Sequence, residues 1–326
     1  MNKIRIKNFS NTAGDVLYVL NYIMKFAKIK VGDYMKEALF YKQEKNKLVQ
    51  CLACEHKCVI QNGGVGVCNV RKNKGGKLYS LVYGKLIAQN IDPIEKKPLY
   101  HFLPGTLTYS IATVGCNFKC AHCQNADIAQ FSEHILEEEW ISGSKTNPED
   151  VVYLAIENNC ESIAYTYTEP TIFVEFALDV MKLAKQAKLK NIWVSNGYFS
   201  LETFRAIQPY LDAINIDLKF FSDLTYKQVC GARLDPVLRN IKLCHENKVH
   251  IEVTTLIIPG LNDSNGELQQ IANFLADIDL SLVWHVSAFH PANKMKDVSP
   301  TSISTLNRAK KIGLATGLKN VYIGNV

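Results

Sequence analysis

"LTYSIATVGCNFKCAHCQN", residues 107–125, joins a run of strand-forming residues to a loop that carries Cys116, Cys120 and Cys123. The first eight residues read as a strand leading straight into the cysteines. A closed tetrahedral metal site takes four ligands, and no fourth cysteine stands close by. His122 could complete a zinc site on paper. It is, however, the immediate neighbour of Cys123, and adjacent side chains rarely converge on one tetrahedral ion. An iron–sulfur cubane makes better use of three thiolates, because one iron is then left open to a substrate or cofactor.

Downstream of this loop, strand-like and helix-like stretches alternate. Strands are expected at 107–114, 162–167, 191–196, 213–219, 250–258, 282–289 and 320–324. Helices are expected at 147–159, 171–188, near 201–208, near 235–247, near 264–277 and near 301–316. The helix at 147–159 has clear start signals: Asn147 as cap, Pro148 in the first position, and Glu149 and Asp150 at the positive end of the dipole. Such alternation predicts an α/β fold of parallel strands with crossover helices, either closing partly into a barrel or staying open as a doubly wound sheet. In both, chemistry belongs at the C-terminal strand ends, where "GCNFKC", "TEPT", "SNGY", "DLK" and "PGLND" fall.

With 326 residues, 47% hydrophobic and 21% charged, the chain is of the globular class and long enough for one main domain with an appendage. The formal charge of +6 comes from thinly spread lysines, with mild concentrations at 41–48 and 70–77. It reads as a solvated surface without the aromatic interleaving of a nucleic-acid site, so no nucleic acid is expected. "DVLYVLNYIM" (15–24) is too short to span a bilayer and lacks signal-peptide punctuation. It reads as an amphipathic helix with Leu17, Leu20 and Met24 on one face. Ten cysteines without a secretory signal point to a reducing compartment, the cytoplasm, and to thiols that serve metals. No membrane association is expected. Cys160, Cys230 and Cys244 stand alone and read as core residues.

A second group, "CLACEHKCVIQNGGVGVC" (51–68), contains Cys51, Cys54, Cys58 and Cys68. Four thiolates at these intervals can close a tetrahedral site, which suggests structural zinc, with a second iron–sulfur cluster as the alternative. The expected organisation is a helical extension over 1–48, a Cys-rich metal-binding module and linker over 49–105, and the main α/β unit over 106–326.

The C-x3-C-x2-C loop after the first strand resembles the signature of the radical S-adenosylmethionine superfamily. Together with "DPIEKKPLYHFLPGT" (92–106), "YTYTEPT", "SNGY", "NIDLK", "PGLND" and "WHVSAFHP", it resembles the radical enzymes of the AmmeMemoRadiSam system. Those are similar to pyruvate formate-lyase activating enzymes. The resemblance covers about residue 50 to the end. Relatives often continue past the equivalent of "YIGNV" with another cysteine pair, whereas this sequence stops at Val326.

This resemblance implies a partial (β/α)6-type TIM barrel and a [4Fe–4S] cluster on Cys116, Cys120 and Cys123. S-adenosylmethionine would chelate the open iron and be cleaved by one electron to a 5′-deoxyadenosyl radical. Glu169, with Thr168, takes the place of the superfamily's glycine–glycine–glutamate segment and is assigned to the methionyl ammonium. Tyr167 and Thr168 stand where the glycines would be. Ser195 and Asn196 are candidates for the ribose or carboxylate, or alternatively a simple turn. Asp217 and Lys219 offer a charge pair, or a plain strand-end salt bridge. His122 occupies an aromatic position beside adenine, and "TLIIPGLND" (255–263) resembles the segment that packs on it. His285 and His290 are catalytic candidates at a substrate mouth.

The implied partners are a low-potential electron donor of flavodoxin or ferredoxin type and an unidentified substrate. That substrate could be a protein, as for a glycyl-radical activase, or a small molecule. The competing expectation is a metal- or cluster-bearing binding or sensor protein on a catalytically idle barrel.

Overall fold

The structure, a computed structural model, describes residues 35–130 and 141–326. Its centre is an eight-stranded sheet: β1 (Ala88–Pro93), β2 (Leu107–Ala112), β3 (Ser162–Tyr165), β4 (Lys190–Ser195), β5 (Ala213–Asp217), β6 (His250–Ile257), β7 (Val283–Ala288) and β8 (Asn320–Gly324). The spatial order is the chain order, with β1 and β8 at the two edges. β2 to β8 are parallel, and β1 runs antiparallel to β2 from Ala88↔Ala112 to Pro93↔Leu107. The expected alternation is therefore present. A doubly wound sheet reverses its strand order at a switch point, and no reversal occurs among the described residues.

Among the described residues, six helices of at least seven residues cross between successive parallel strands: α1 (Pro148–Glu157), α2 (Val174–Gln186), α3 (Leu201–Ile207), α4 (Leu234–Glu246), α5 (Asn265–Ile278) and α6 (Ile303–Ala315). The start signals of α1 work as expected, with Asp150 accepting from the Asn147 amide at 3.2 Å. α2 buries every residue of its first turn, from Val174 to Leu178, and then Val180, Met181 and Ala184 at the spacing of one helical face. None of the helices among the described residues is long and apolar enough to cross a membrane.

The segment after β1, expected as linker, has a definite place. Ile94 and Leu99 pack with Ala164, Ile192 and Ala213, which lie in register across β3, β4 and β5. Asn215 donates to the Pro98 carbonyl at 2.8 Å, and the Tyr100 and His101 amides donate to Glu252 at 2.9 and 2.8 Å. This plug closes the N-terminal end of the sheet and leaves its C-terminal end for chemistry.

The expected helix with Leu17, Leu20 and Met24 lies outside the described residues. From 35 to 48 the chain forms strands Lys36–Glu37 and Tyr41–Gln43 and a 3-10 turn, where a helical extension was expected. Two small antiparallel sheets, completed by Val49–Cys51, Val59–Ile60, Arg71–Lys74 and Lys77–Ser80, make up the segment that carries the first four cysteines.

Candidate active site

Three loops meet at the C-terminal end of the sheet. The first follows β2 and carries Cys116, Cys120 and Cys123, of which Cys120 is buried and the others half-buried. Gly115, just before them, has φ +96°, and a Cβ there would come within 2.8 Å of Val70 Cγ1 and 2.9 Å of the Cys68 carbonyl. Only glycine lets this loop lie against the four-cysteine segment. As free thiols the three cysteines are held above their ordinary range. Burial dominates for Cys116 and Cys123, and a hydrogen bond with Cys230 for Cys120. Such a set stays protonated unless a cation takes the charge, which suits a metal cluster.

The second loop follows β3. Tyr167 holds φ +62°, the left-handed conformation in which glycine would be at ease. The tyrosine is kept there by its hydroxyl, which donates to Asp92, by Lys97 Nζ 4.4 Å over its ring, and by Asn125, which donates to its carbonyl at 2.9 Å. Thr168 Oγ1 donates to the Thr113 carbonyl at 2.9 Å.

Glu169, 1% exposed, is the hub of the site. Its Oε1 accepts from the Thr171 amide (3.1 Å), Thr171 Oγ1 (2.6 Å) and Ser195 Oγ (2.9 Å), and its Oε2 accepts from the Asn196 amide (2.8 Å). Burial raises its carboxyl above the usual range, against the pull of those donors.

The third loop follows β4, with Ser195, Asn196 and Gly197. Asn196 Nδ2 donates to Asn117 Oδ1 at 2.7 Å and thereby reaches the cysteine loop. The turn expected from "SNG" and a tie to the candidate site are thus the same structure: the Gly197 amide donates to Ser195 Oγ at 3.0 Å.

Beyond β5, Lys219 Nζ donates to Asp217 at 2.8 Å. Burial alone would lower the Lys219 pKa, but the Asp217 carboxylate outweighs it and helps hold the ammonium charged, above its ordinary range. His122 is 3% exposed and lies edge-on to Phe220, with ring centroids 5.9 Å apart. Neither of its nitrogens has a hydrogen-bond partner, and burial, aided by Lys219, brings it down to about 3. The "TLIIPGLND" turn is locked by Asn262, which accepts from the Ile258 amide at 2.6 Å and donates to the Lys219 carbonyl at 2.7 Å.

The two histidine candidates are not together. His285 sits in the first half of β7, 3% exposed, and donates to Glu252 at 2.7 Å against the plug, with Tyr100 edge-on at 4.7 Å. His290 is exposed on the loop after β7, where it donates to the Asn325 carbonyl at 2.9 Å. A shared mouth is thereby corrected: β7 carries His285 inward at the plugged end, and the loop carries His290 outward at the other.

Sequence reasoning passed over Asn117, Cys230 and Arg71. Cys230 was read as an isolated core thiol, and it is fully buried. It also lies, with Cys120 and His122, in a group whose ligand atoms fall within 4.8 Å of one another. Its segment clamps the cysteine loop, since the Lys119 and Ala121 amides donate to the carbonyls of Cys230 and Val229, each at 2.9 Å. Arg71 forms a buried two-pronged pair with Glu175 at 2.9 and 2.6 Å, fastening the N-terminal segment to α2. Position within "GCNFKC" could have flagged Asn117. Nothing local distinguishes Arg71 or Cys230.

The sequence profile of the radical SAM superfamily matches residues 110–275, a little over half of the chain, from β2 through the cysteine loop and into α5. The chain belongs to the radical SAM superfamily. An uncharacterized protein of Methanocaldococcus jannaschii is 43% identical over 293 residues, 90% of this chain and 86% of that protein. The pyruvate formate-lyase-activating enzyme of Clostridium pasteurianum is 21% identical over 170 residues, 50% of this chain and 67% of that enzyme. The crystal structure of Streptococcus suis SuiB bound to S-adenosylmethionine superposes with a TM-score of 0.51 at 13% identity, over 66% of this chain and 48% of SuiB. At that identity the likeness concerns the fold alone. Membership in the radical SAM superfamily implies a [4Fe–4S] cluster and S-adenosylmethionine, and the three thiols on the first loop are the donor set that such a cluster needs.

Proposed function

We propose that this radical SAM enzyme binds its cluster through Cys116, Cys120 and Cys123 and cleaves S-adenosylmethionine reductively to modify a partner protein, in the manner of a glycyl-radical activase. When bound, the cluster and S-adenosylmethionine supply the electron and the carbon-centred radical that abstracts hydrogen. The chain's own residues bind, orient and exclude water. The observation that carries the reading is the convergence of Cys116, Asn117, Asn196, Ser195 and Glu169 through hydrogen bonds across three strand-end loops.

In this reading Glu169, already ordering Ser195 and Asn196, faces the methionyl ammonium with Thr168 beside it. Ser195 and Asn196 bond the ribose or carboxylate, Asp217 and Lys219 set the charge at the next strand end, and His122 offers its neutral ring to adenine. The monotonic strand order supports a partial barrel, because right-handed crossovers without a reversal put every helix on one face and leave the other to line an interior. Cys51, Cys54, Cys58 and Cys68 hold a second metal centre, zinc or iron–sulfur. A low-potential donor of flavodoxin or ferredoxin type supplies electrons. The activase class is favoured over small-molecule chemistry by relatives named as activating enzymes.

The test is anaerobic reconstitution with iron and sulfide, then dithionite and S-adenosylmethionine, with 5′-deoxyadenosine quantified against a Cys120→Ala protein. Product from the wild type alone supports the reading. An intact cluster whose EPR spectrum ignores S-adenosylmethionine, with no product, would replace it with the binding or sensor alternative.

A further inference from the structure

We infer that Cys120, His122 and Cys230 form a site for one divalent ion of the zinc class, taken up when the chain carries no cluster. Cys120 belongs to the cluster's donor set as well, so ion and cluster exclude each other. That exclusion rests on the proposed function above, whereas the site does not.

The donor set is drawn from two distant segments. Cys120 and His122 lie two residues apart on the first loop, and Cys230 closes the π-helical turn Tyr226–Cys230 that precedes α4. Turns of this kind recur at functional sites. On either side of Cys120, the Lys119 and Ala121 amides bond the Cys230 and Val229 carbonyls, which fixes one segment against the other. The two sulfurs and an imidazole nitrogen all fall within 4.8 Å of one another. Tetrahedral zinc, with bonds of about 2.0–2.3 Å to nitrogen and sulfur, spaces its ligand atoms about 3.3–3.8 Å apart. Side-chain shifts of about 1 Å close that difference.

His122 supplies an independent sign. It is buried, both of its ring nitrogens lack a hydrogen-bond partner, and Phe220 lies edge-on to it. A buried nitrogen left unmet is costly, and a metal ion takes up the lone pair of one of them. The charges also balance. Two thiolates and Asp217 offset one divalent ion and the Lys219 ammonium, which Asp217 holds at 2.8 Å. Binding releases the two thiol protons to solvent. As sequence neighbours, His122 and Cys123 are poor partners for one ion. The fold sets His122 beside Cys230 instead, and Cys123 is not in the group. Two sulfurs and a nitrogen favour zinc over the hard, oxygen-seeking cations.

The experiment uses the full chain, reduced and freed of metal, with cobalt(II) and then zinc(II) as probes. Bound metal is counted per chain after gel filtration, and thiolate-to-cobalt charge transfer is read in the near ultraviolet. The wild type should hold one equivalent more than Cys230→Ala or His122→Ala, while Cys123→Ala should hold as much as the wild type. Any metal on Cys51, Cys54, Cys58 and Cys68 is common to all four proteins and cancels. Equal counts in the wild type and either of the first two variants overturn the site. So does an equivalent lost in Cys123→Ala, which would put the ion on the cluster's own thiols. Should Cys230→Ala fail to fold, His122→Ala decides.

Zinc-loaded wild type, then given iron and sulfide, should assemble the cluster on Cys116, Cys120 and Cys123 at least fivefold more slowly than the zinc-free chain, as read by EPR after dithionite. Cys230→Ala should show no such delay. Equal rates in the wild type, with the ion still counted, overturn the exclusion. A chain that never assembles that cluster, with or without zinc, removes the proposed function and the exclusion together and leaves the ion site standing.

Discussion

Asn196 Nδ2 reaches across from the end of β4 to Asn117 Oδ1, 2.7 Å away between the first two cysteines of the cluster loop. Both residues are buried, so the bond is made away from competing water. Truncating Asn196→Ala leaves an unmet acceptor worth about 1–3 kcal/mol, equivalent to roughly a 5- to 150-fold loss if the tie matters only in the reactive arrangement. The expected result is a fall in 5′-deoxyadenosine formation of about that size, with iron content unchanged. An unaltered rate would show that the loops hold their positions without this bond.

Arg71 and Glu175 are 2% and 1% exposed at their side chains and fasten the cysteine-bearing N-terminal segment to α2. Removing one partner of such a pair strands the other charge and costs about 3–5 kcal/mol. Glu175→Leu should therefore lower the thermal midpoint by several degrees. The double change Arg71→Met with Glu175→Leu should recover much of the loss, because two apolar groups leave no charge unmet. Calorimetry on the metal-free proteins checks both.

Glu252 gives the plug an acid limit. Burial alone would raise its carboxyl, but donors from His250, His285 and the Tyr100 and His101 amides outweigh it and hold the group at about 2, below its ordinary 4.5. The folded state thus binds the proton less readily than the unfolded chain. This contribution, about 3 kcal/mol, is complete above pH ~4.5 and is lost as the pH falls toward ~2. Glu252→Gln should be less stable at neutral pH and show a flatter stability profile between those values in urea titrations. His285→Gln should likewise lower stability, whereas His290→Ala, on an exposed loop, should not.

Gly115 is where the N-terminal segment touches the cluster loop. With a Cβ 2.8 Å from Val70 and 2.9 Å from the Cys68 carbonyl, at φ +96°, Gly115→Ala must push the two apart. The expected outcome is a protein that folds but binds less iron and sulfide, measured per chain after reconstitution. Full iron content would mean that the contact is not needed to form either site.

Much of this could be read from the chain itself. The strands and helices after residue 106 follow their predicted places because each carries its own signal: a short β-rich run, an amphipathic repeat, Asn147 and Pro148 at a helix start. The three-thiol loop after the first strand was equally legible, since a local spacing encodes a local set of ligands.

Other features were not legible because they depend on pairs far apart in sequence. The segment 94–106 looked like linker, and only its contacts with Ala164, Ile192, Ala213, Asn215 and Glu252 make it a plug. Cys230 looked like one more buried thiol until the segment before it paired with the backbone of Lys119 and Ala121. His285 and His290, five residues apart, looked like neighbours at one mouth. A strand and the loop that follows it sent them to opposite ends.

The sequence alone determined the parallel α/β order and the three-cysteine loop after the first of the parallel strands, because hydrophobic period and cysteine spacing are properties of short stretches. Tertiary structure decided which distant residues face one another: Glu169 with Ser195 and Asn196, Arg71 with Glu175, and the four N-terminal cysteines with the wall of the cluster loop. Those contacts arise from packing and burial. Hydrogen bonds and charges are drawn together there because, away from water, each would otherwise go unmet.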